Sequence, residues 1–286
     1  MQMIKVAGHA KFLSHGLKLP AEWQDPSGDP AGKHYGEALK PEEKVAAPKL
    51  IPPFFLPHNP NKYHQQACDE VGQIYKDIHD GCLDAIAYAH NMWKVQAKFK
   101  DLKIMAVSAI GAPGCLDGPE LESLIKNAPM VASWSDGKAK HRDAVAKGVS
   151  KCFKDWQSMV TVPGLPWYPA FAAFPGPMAP PMPNVPTPLV ACPSAQMAAM
   201  TPMTLKSEMD SALDGGLKNE DPTKQYEALH DAIATVVAAA FMLWLPAQQV
   251  IGVMGKGPVP SFAPPYVPVG PVVAGDNIPT PGHLAT

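Results

Sequence analysis

The feature that most constrains this chain is a stretch of fifty residues without a charged side chain, between Asp155 and Lys206. Proline recurs at every third position within it, from Pro163 to Pro169 and again from Pro177 to Pro186. A polyproline II helix has three residues per turn, so each set would line one edge of an extended rod. A long α-helix is excluded there, because proline removes a backbone donor and clashes with the preceding turn. The spacing predicts an extended apolar arm over residues 161–202.

A solvated rod of this composition would expose a large apolar surface, which soluble proteins avoid. We therefore expect the arm to be buried, either against its own helices or in a groove on neighbouring subunits. The rings that interleave with the prolines are candidate docking groups, and a second Pro-rich segment over residues 255–286 contains two more. These predicted interaction residues are Trp167, Tyr168, Phe171, Phe174, Phe262 and Tyr266.

Residues 61–160 carry the clearest helical pattern. From His64 to Met92, mostly apolar or small side chains recur at alternating spacings of four and three, which is typical of a packed seam sustained over several heptads. A second seam runs from Val145 to Met159. These seams predict a small antiparallel helical bundle.

The remaining sections complete a mainly α fold, with a small helical bundle, long Pro-rich extended arms and little or no sheet. Frequent prolines predict an irregular N-terminal arm, and Asp221-Pro222 is typical of a helix start, with Asp at the cap and Pro at the first helical position. The predicted sections are the N-terminal arm (1–60), the bundle (61–160), the apolar arm (161–202), a helical pair packing on the bundle (203–254) and a C-terminal Pro-rich arm (255–286).

The run from Ala232 to Leu245 is uncharged and apolar. It covers only about 14 residues before Pro246, whereas a membrane-spanning helix needs roughly 20. We expect a buried core helix here and keep a membrane-inserting segment over residues 232–255 as an alternative. The first residues lack the apolar core of a signal peptide, so we expect no such peptide.

Charge and cysteine content restrict the partners and the compartment. The net charge is −2, and Arg142 is the only arginine among 24 basic residues, so we expect no nucleic-acid partner. Five cysteines at irregular spacing, without a CxxC motif, indicate buried free thiols in a reducing compartment. Because Cys82 and Cys152 both lie on seams, a disulfide between them is kept as an alternative.

The sequence contains few residues whose spacing is typical of a metal-binding or catalytic site. His64 with Cys68 and His79 with Cys82 each share a helix face, but about 16 Å of helix separates the two pairs at 1.5 Å per residue. Cysteine and histidine on a packed seam are better explained as core residues. Nucleophile elbows, phosphate loops and paired carboxylates in a suitable context do not occur in the sequence. We expect no catalytic residue, no cofactor and no metal.

A helical core with long Pro-rich arms and little charge resembles the structural proteins of tailed bacteriophages and of phage-tail-like particles such as contractile injection systems. The residues that carry the resemblance are the arms, Pro163–Pro188 and Gly257–Pro281. It implies a non-enzymatic structural or adaptor subunit, assembled in the bacterial cytoplasm into a virion or phage-like particle. Its arms would lace neighbouring subunits, both copies of itself and other structural proteins.

Two alternatives belong to other classes of function. One is a membrane-docking protein that uses residues 232–255, which would place Trp244 at the membrane interface. The other is a delivered toxin or effector of unrecognised chemistry, which would show a concave polar site with perturbed ionisable groups.

Overall fold

The computed structural model describes residues 1–19, 54–57, 62–221, 223–260 and 269–285. Within these residues about 52% are helical and 20% lie in strands, so the protein is mixed α/β. The prediction of a mainly α fold with little or no sheet is wrong. In the described residues, the Pro-rich sections form short strands instead of extended arms, together with three short 3-10 helices, Pro169–Phe171, Leu189–Ala191 and Met197–Met200.

Both predicted seams fall on helices, whereas a further helix, Lys5–Ser14, lies in the section predicted to be an irregular arm. The seam that starts at His64 falls on one helix of 35 residues, and the seam that starts at Val145 falls on a helix of 23 residues. The described helices are α1 (Lys5–Ser14), α2 (Lys62–Gln96), α3 (Leu121–Lys126), α4 (Asp136–Ser158), α5 (Pro202–Ala212), α6 (Gly215–Glu220) and α7 (Gln225–Ala247).

The strands are short and form three groups along the chain, one after α2, one after α4 and one after α7. They are β1 (Lys98–Phe99), β2 (Lys103–Met105), β3 (Ser108–Gly111), β4 (Leu116–Asp117), β5 (Val162–Pro166), β6 (Phe174–Pro175), β7 (Met178–Pro183), β8 (Thr187–Pro188), β9 (Gln249–Val250), β10 (Met254–Pro258), β11 (Val269–Gly270), β12 (Gly275–Ile278) and β13 (Leu284–Ala285).

Aromatic rings from α2, α4 and α7 form the centre of the helical layer. Trp93 meets Phe153 edge to face, with ring centroids 4.8 Å apart, and Trp156 meets Phe241 in the same way at 5.0 Å. Trp244 packs against this cluster and is itself buried. Edge-to-face pairs contribute about 0.5–1.5 kcal/mol each beyond the area they bury. These contacts fix the three long helices against one another.

Helix α7 is the candidate for the alternative membrane segment. By length and composition it could cross a membrane, with a mean hydropathy of 1.8 over its most apolar window, and 72% of that window is buried inside the protein. A helix that is apolar all round is typical of a core helix as well as of a membrane span. In this fold α7 packs against α1, α2 and α5.

The largest sheet has six antiparallel strands in the order β5-β3-β2-β12-β10-β7. Its two edges, β5 and β7, come from the uncharged Pro-rich stretch. The ladder between β3 and β5 shifts register opposite Pro163, and the ladder between β10 and β7 shifts opposite Pro180 and Pro181. Prolines are tolerated at sheet edges and at such bulges, because no ladder partner needs their missing N–H group. This is why a three-residue proline period is compatible with strands.

The two edges meet where β5 and β7 end. Trp167 and Asn184 form an antiparallel bridge, and the Val185 N–H donates to the Pro166 carbonyl at 2.9 Å. The sheet therefore curls back on itself around the buried Trp167 ring. A Cβ atom at Gly255 on β10 would lie 2.9 Å from Trp167 Nε1, so glycine is needed for this close approach.

Two buried asparagines hold irregular parts of the chain to the sheet. Asn184 Oδ1 accepts the Val253 N–H at 2.9 Å, and its Nδ2 donates to the Val250 carbonyl at 2.9 Å. Asn277 Oδ1 accepts the Leu102 N–H at 2.8 Å. Each bond satisfies a buried backbone group that no ladder partner reaches.

His283 has a comparable role next to the C-terminal strand. It is buried, its Nδ1 accepts the Phe99 N–H at 2.8 Å, and its Nε2 lies 3.1 Å from Thr280 Oγ1. Burial lowers the pKa of His283 to about 4. Protonation of Nδ1 would remove the acceptor for the Phe99 N–H, so this bond requires the neutral ring.

Acidification should therefore destabilise the protein in a defined window. The unfolded chain binds a proton at His283 with a pKa of about 6.5, whereas the folded protein does so near pH 4, so the free energy of unfolding should fall as the pH falls from about 6.5 to 4 and level off below. The loss attributable to His283 is of the order of 3 kcal/mol, at about 1.4 kcal/mol per pH unit.

Urea unfolding at several pH values, on the wild type and on His283→Gln, measures this loss. The variant should lose less free energy of unfolding on acidification than the wild type does. His90 and His141, whose pKa values burial also lowers, remain in both proteins and supply the shared part of the decline. An identical pH dependence in the two proteins would contradict the assignment to His283.

Candidate interaction surface

The structure describes four of the six predicted ring residues, and these four differ in burial. Trp167 and Phe171 are buried in the chain's own core, stacked with centroids 6.2 Å apart. Phe174 is half-buried, and Tyr168 is exposed. The remaining two, Phe262 and Tyr266, lie outside the described residues. Of the described rings, Tyr168 is the most available to a partner.

Neighbouring backbone bonds place Tyr168 beside other exposed apolar side chains. The Trp167 N–H donates to the Val107 carbonyl, and the Ala106 N–H donates to the Val272 carbonyl, both at 2.8 Å. These bonds bring together the turn between β2 and β3, the residue after Trp167, and the chain that precedes β12. Four side chains here are between 37% and 57% exposed, and we call them the hairpin patch: Met105, Val107, Tyr168 and Val273.

Charges on the outer face of the sheet are collected in one row that crosses β2, β12 and β10. Lys103 Nζ lies 2.5 Å from Asp276 Oδ1, and Lys256 stands opposite Asp276 in the ladder. Exposed ion pairs of this kind contribute about 0–1 kcal/mol. The hairpin patch is an uncharged apolar area beside this charged row, in which two lysines flank one aspartate.

Sequence reasoning missed the hairpin part of this surface, because residues 98–117 were assigned to the helical bundle. The signal was present in the run from Lys103 to Gly111, which is rich in β-branched and small residues and ends at Gly111-Ala112-Pro113-Gly114. Such a run bounded by glycine and proline is typical of strands and hairpins. Its inward residues are Ile104 and Ala109.

The predicted cysteine and histidine groups lie in the core. Cys82 and Cys152 are both buried free thiols in the structure, and burial raises the pKa of each to about 12. Cys68 Sγ lies 3.8 Å from the His64 ring, and both residues are buried. A thiol with a raised pKa is a poor nucleophile and a poor metal ligand at neutral pH.

A buried histidine–aspartate pair lies between α5 and α7. Asp210 accepts hydrogen bonds from His230 Nδ1 at 2.8 Å and from Lys206 Nζ at 2.6 Å. The other nitrogen of His230, Nε2, is buried without a partner among the described residues, and the ring lies 6.0 Å from that of His141. His230 is fully buried, whereas the Asp210 side chain is 21% exposed, so the pair links α7 to α5 from the interior to the surface.

Comparison of the chain with protein-family models, curated proteins and solved structures gives no match.

Because Trp167 is buried and Tyr168 is exposed, alanine substitutions at these two adjacent positions should lower the free energy of unfolding by different amounts. Trp167→Ala removes a ring from the centre of the curled sheet and should lower the free energy of unfolding by about 3–5 kcal/mol. Tyr168→Ala removes an exposed ring and should change it by about 0.5 kcal/mol or less. Denaturant unfolding of both variants measures the difference, and equal costs would contradict the placement of the two rings.

Proposed function

We propose that the protein is a non-enzymatic structural or adaptor subunit of a large multi-subunit particle, of the virion or phage-tail-like kind that its sequence style resembles. The observation that carries the proposal is the hairpin patch, an uncharged apolar area at one end of the sheet. Apolar patches of this kind, beside polar residues, mark protein–protein contacts in soluble proteins.

Contact through side chains is favoured over contact through strand pairing. An exposed sheet edge adds strands from other chains when its N–H and C=O groups are free. Here both edge strands carry prolines, and the chain meets itself just beyond them through Trp167 and Asn184. The surface left for association is therefore the outer face, where Tyr168 supplies an aromatic ring of the type enriched at interface centres.

The partner we assign to the hairpin patch is a second copy of this chain, with other structural proteins of the same particle contacting the remaining surface. A two-fold contact places the same surface of both copies together, and an uncharged patch meets its copy there without charge repulsion. The row of Lys103, Asp276 and Lys256 beside the patch supplies a polar rim, which excludes water from the apolar centre.

The membrane-docking alternative has one supporting observation, the length and hydropathy of α7. It would require α7 to leave its contacts with α1, α2 and α5, including the ring cluster around Trp244. The burial of most of the helix supports the structural proposal instead.

Polar substitution of the hairpin patch should abolish self-association. In detergent-free buffer the wild type should elute as a defined oligomer by light scattering behind a sizing column. The double variant Val107→Ser/Tyr168→Ser should elute near the monomer mass of 30.5 kDa, because the apolar centre of the contact is lost. Circular dichroism should show that its helices are unchanged.

A matched control is Met203→Ser, which removes an apolar side chain that is 80% exposed on α5 and is not part of the patch. This variant should keep the wild-type mass. A monomeric wild type at high concentration, or a double variant that keeps the oligomer mass, would overturn the proposal.

A further inference from the structure

A cluster of two histidines and an aspartate joins α1 to α2, and it is not part of the proposed function; the sequence pattern pairs His79 with Cys82 instead of with these residues. Asp80 Oδ1 lies 2.6 Å from His9 Nε2 and 2.8 Å from His79 Nδ1. One ligand atom from each of the three residues lies within 4.8 Å of those of the other two. His79 and Asp80 are adjacent in the chain, whereas His9 comes from a separate helix.

We propose that His9, His79 and Asp80 bind a zinc ion that links α1 to α2. Two imidazoles and a carboxylate form a nitrogen and oxygen donor set that zinc accepts, and three protein ligands leave a fourth tetrahedral position for water. Binding requires the hydrogen bonds from the two rings to Asp80 to be replaced by bonds from all three residues to the ion. The ligand atoms need to separate only slightly for this exchange.

The surroundings of His79 hold its ring in position before any ion binds. The residue is fully buried, and a Cβ atom at Gly8 of α1 would lie only 2.1 Å from its Nε2. Glycine at position 8 therefore allows α1 to approach the ring closely. Phe54 packs edge-on to His9, with ring centroids 5.4 Å apart. Ligands held by packing in this way lose little freedom when a metal binds.

Access and local charge also permit an ion to enter. The side chains of His9 and Asp80 are 20% and 26% exposed, so the cluster opens to solvent on one side. Lys5, one turn before His9, is paired with Asp84 at 2.8 Å. Lys5 therefore forms its ion pair with Asp84 and not with Asp80, the carboxylate that would bind the ion.

A second histidine–aspartate pair on the same side of the protein provides a matched control. His15 Nε2 lies 2.9 Å from Asp231 Oδ2, and Lys11 Nζ contacts the same oxygen at 2.9 Å. This group has one imidazole and an adjacent cation, so it lacks the second ring that the proposed zinc site requires.

The test uses the full chain, stripped with EDTA and dialysed, and titrated with zinc chloride by calorimetry. We expect one zinc ion per chain and a rise in the thermal midpoint with zinc concentration, since a ligand of the folded state stabilises it. Cobalt in place of zinc should give the visible absorption bands of a tetrahedral site. His9→Gln should weaken zinc affinity by about 100-fold or more, because loss of an outer partner alone costs 10–100-fold. His15→Gln should leave the affinity unchanged.

His9→Gln is chosen because the residue is partly exposed and glutamine can still donate to Asp80, so circular dichroism should show a folded variant. Failure of the wild type to bind zinc would overturn the proposal, and the cluster would then be a hydrogen-bonded link only. Binding that persists in His9→Gln, or that is lost equally in His15→Gln, would overturn it as well. Oligomer mass plays no part in these readouts, so the outcome is independent of the proposed function.

Discussion

The closure of the six-stranded sheet around Trp167 is the constraint on which the sheet and its outer surface depend. The edge strands β5 and β7 contain no charged side chain, and they would present prolines and apolar groups to water if the sheet stayed open. Their meeting at Trp167 and Asn184 buries the ring and closes one end of the sheet. Glycines on β10 and β12 complete this arrangement, because a Cβ atom at Gly257 would lie 2.6 Å from the Gly275 Cα atom.

The helical layer and the sheet share one core, and α4 connects them directly. The helix ends at Ser158, and β5 begins four residues later at Val162. Ser194 Oγ donates to the Trp156 carbonyl at 2.7 Å, so a residue of the Pro-rich stretch caps the end of α4 beside the ring cluster. The orientation of the helices therefore sets where the first edge strand starts, and the ring cluster and the curled sheet stabilise each other.

Periodicity predicts α2 and α4, because each seam lies within one continuous segment, but it does not predict α1. Cys82 and Trp156 are buried on α2 and α4, as the alternating spacing indicates. The six-stranded sheet could not be predicted in the same way, since its strands have three to six residues and β2 pairs with β12 from the other end of the chain. Proline at every third position favoured a polyproline rod, and only the ladder partners show that these prolines lie on edges.

The two-residue alternation of side chains along a strand explains why the predicted ring residues differ in exposure. Leu165 and Trp167 face the interior at a spacing of two, as side chains of a strand do, whereas Tyr168 falls on the opposite side. Because the two strand edges carry prolines and meet each other at Trp167 and Asn184, strand addition at these edges is blocked. A stretch whose sequence predicts an extended lacing arm therefore forms two fixed edges of the chain's own sheet.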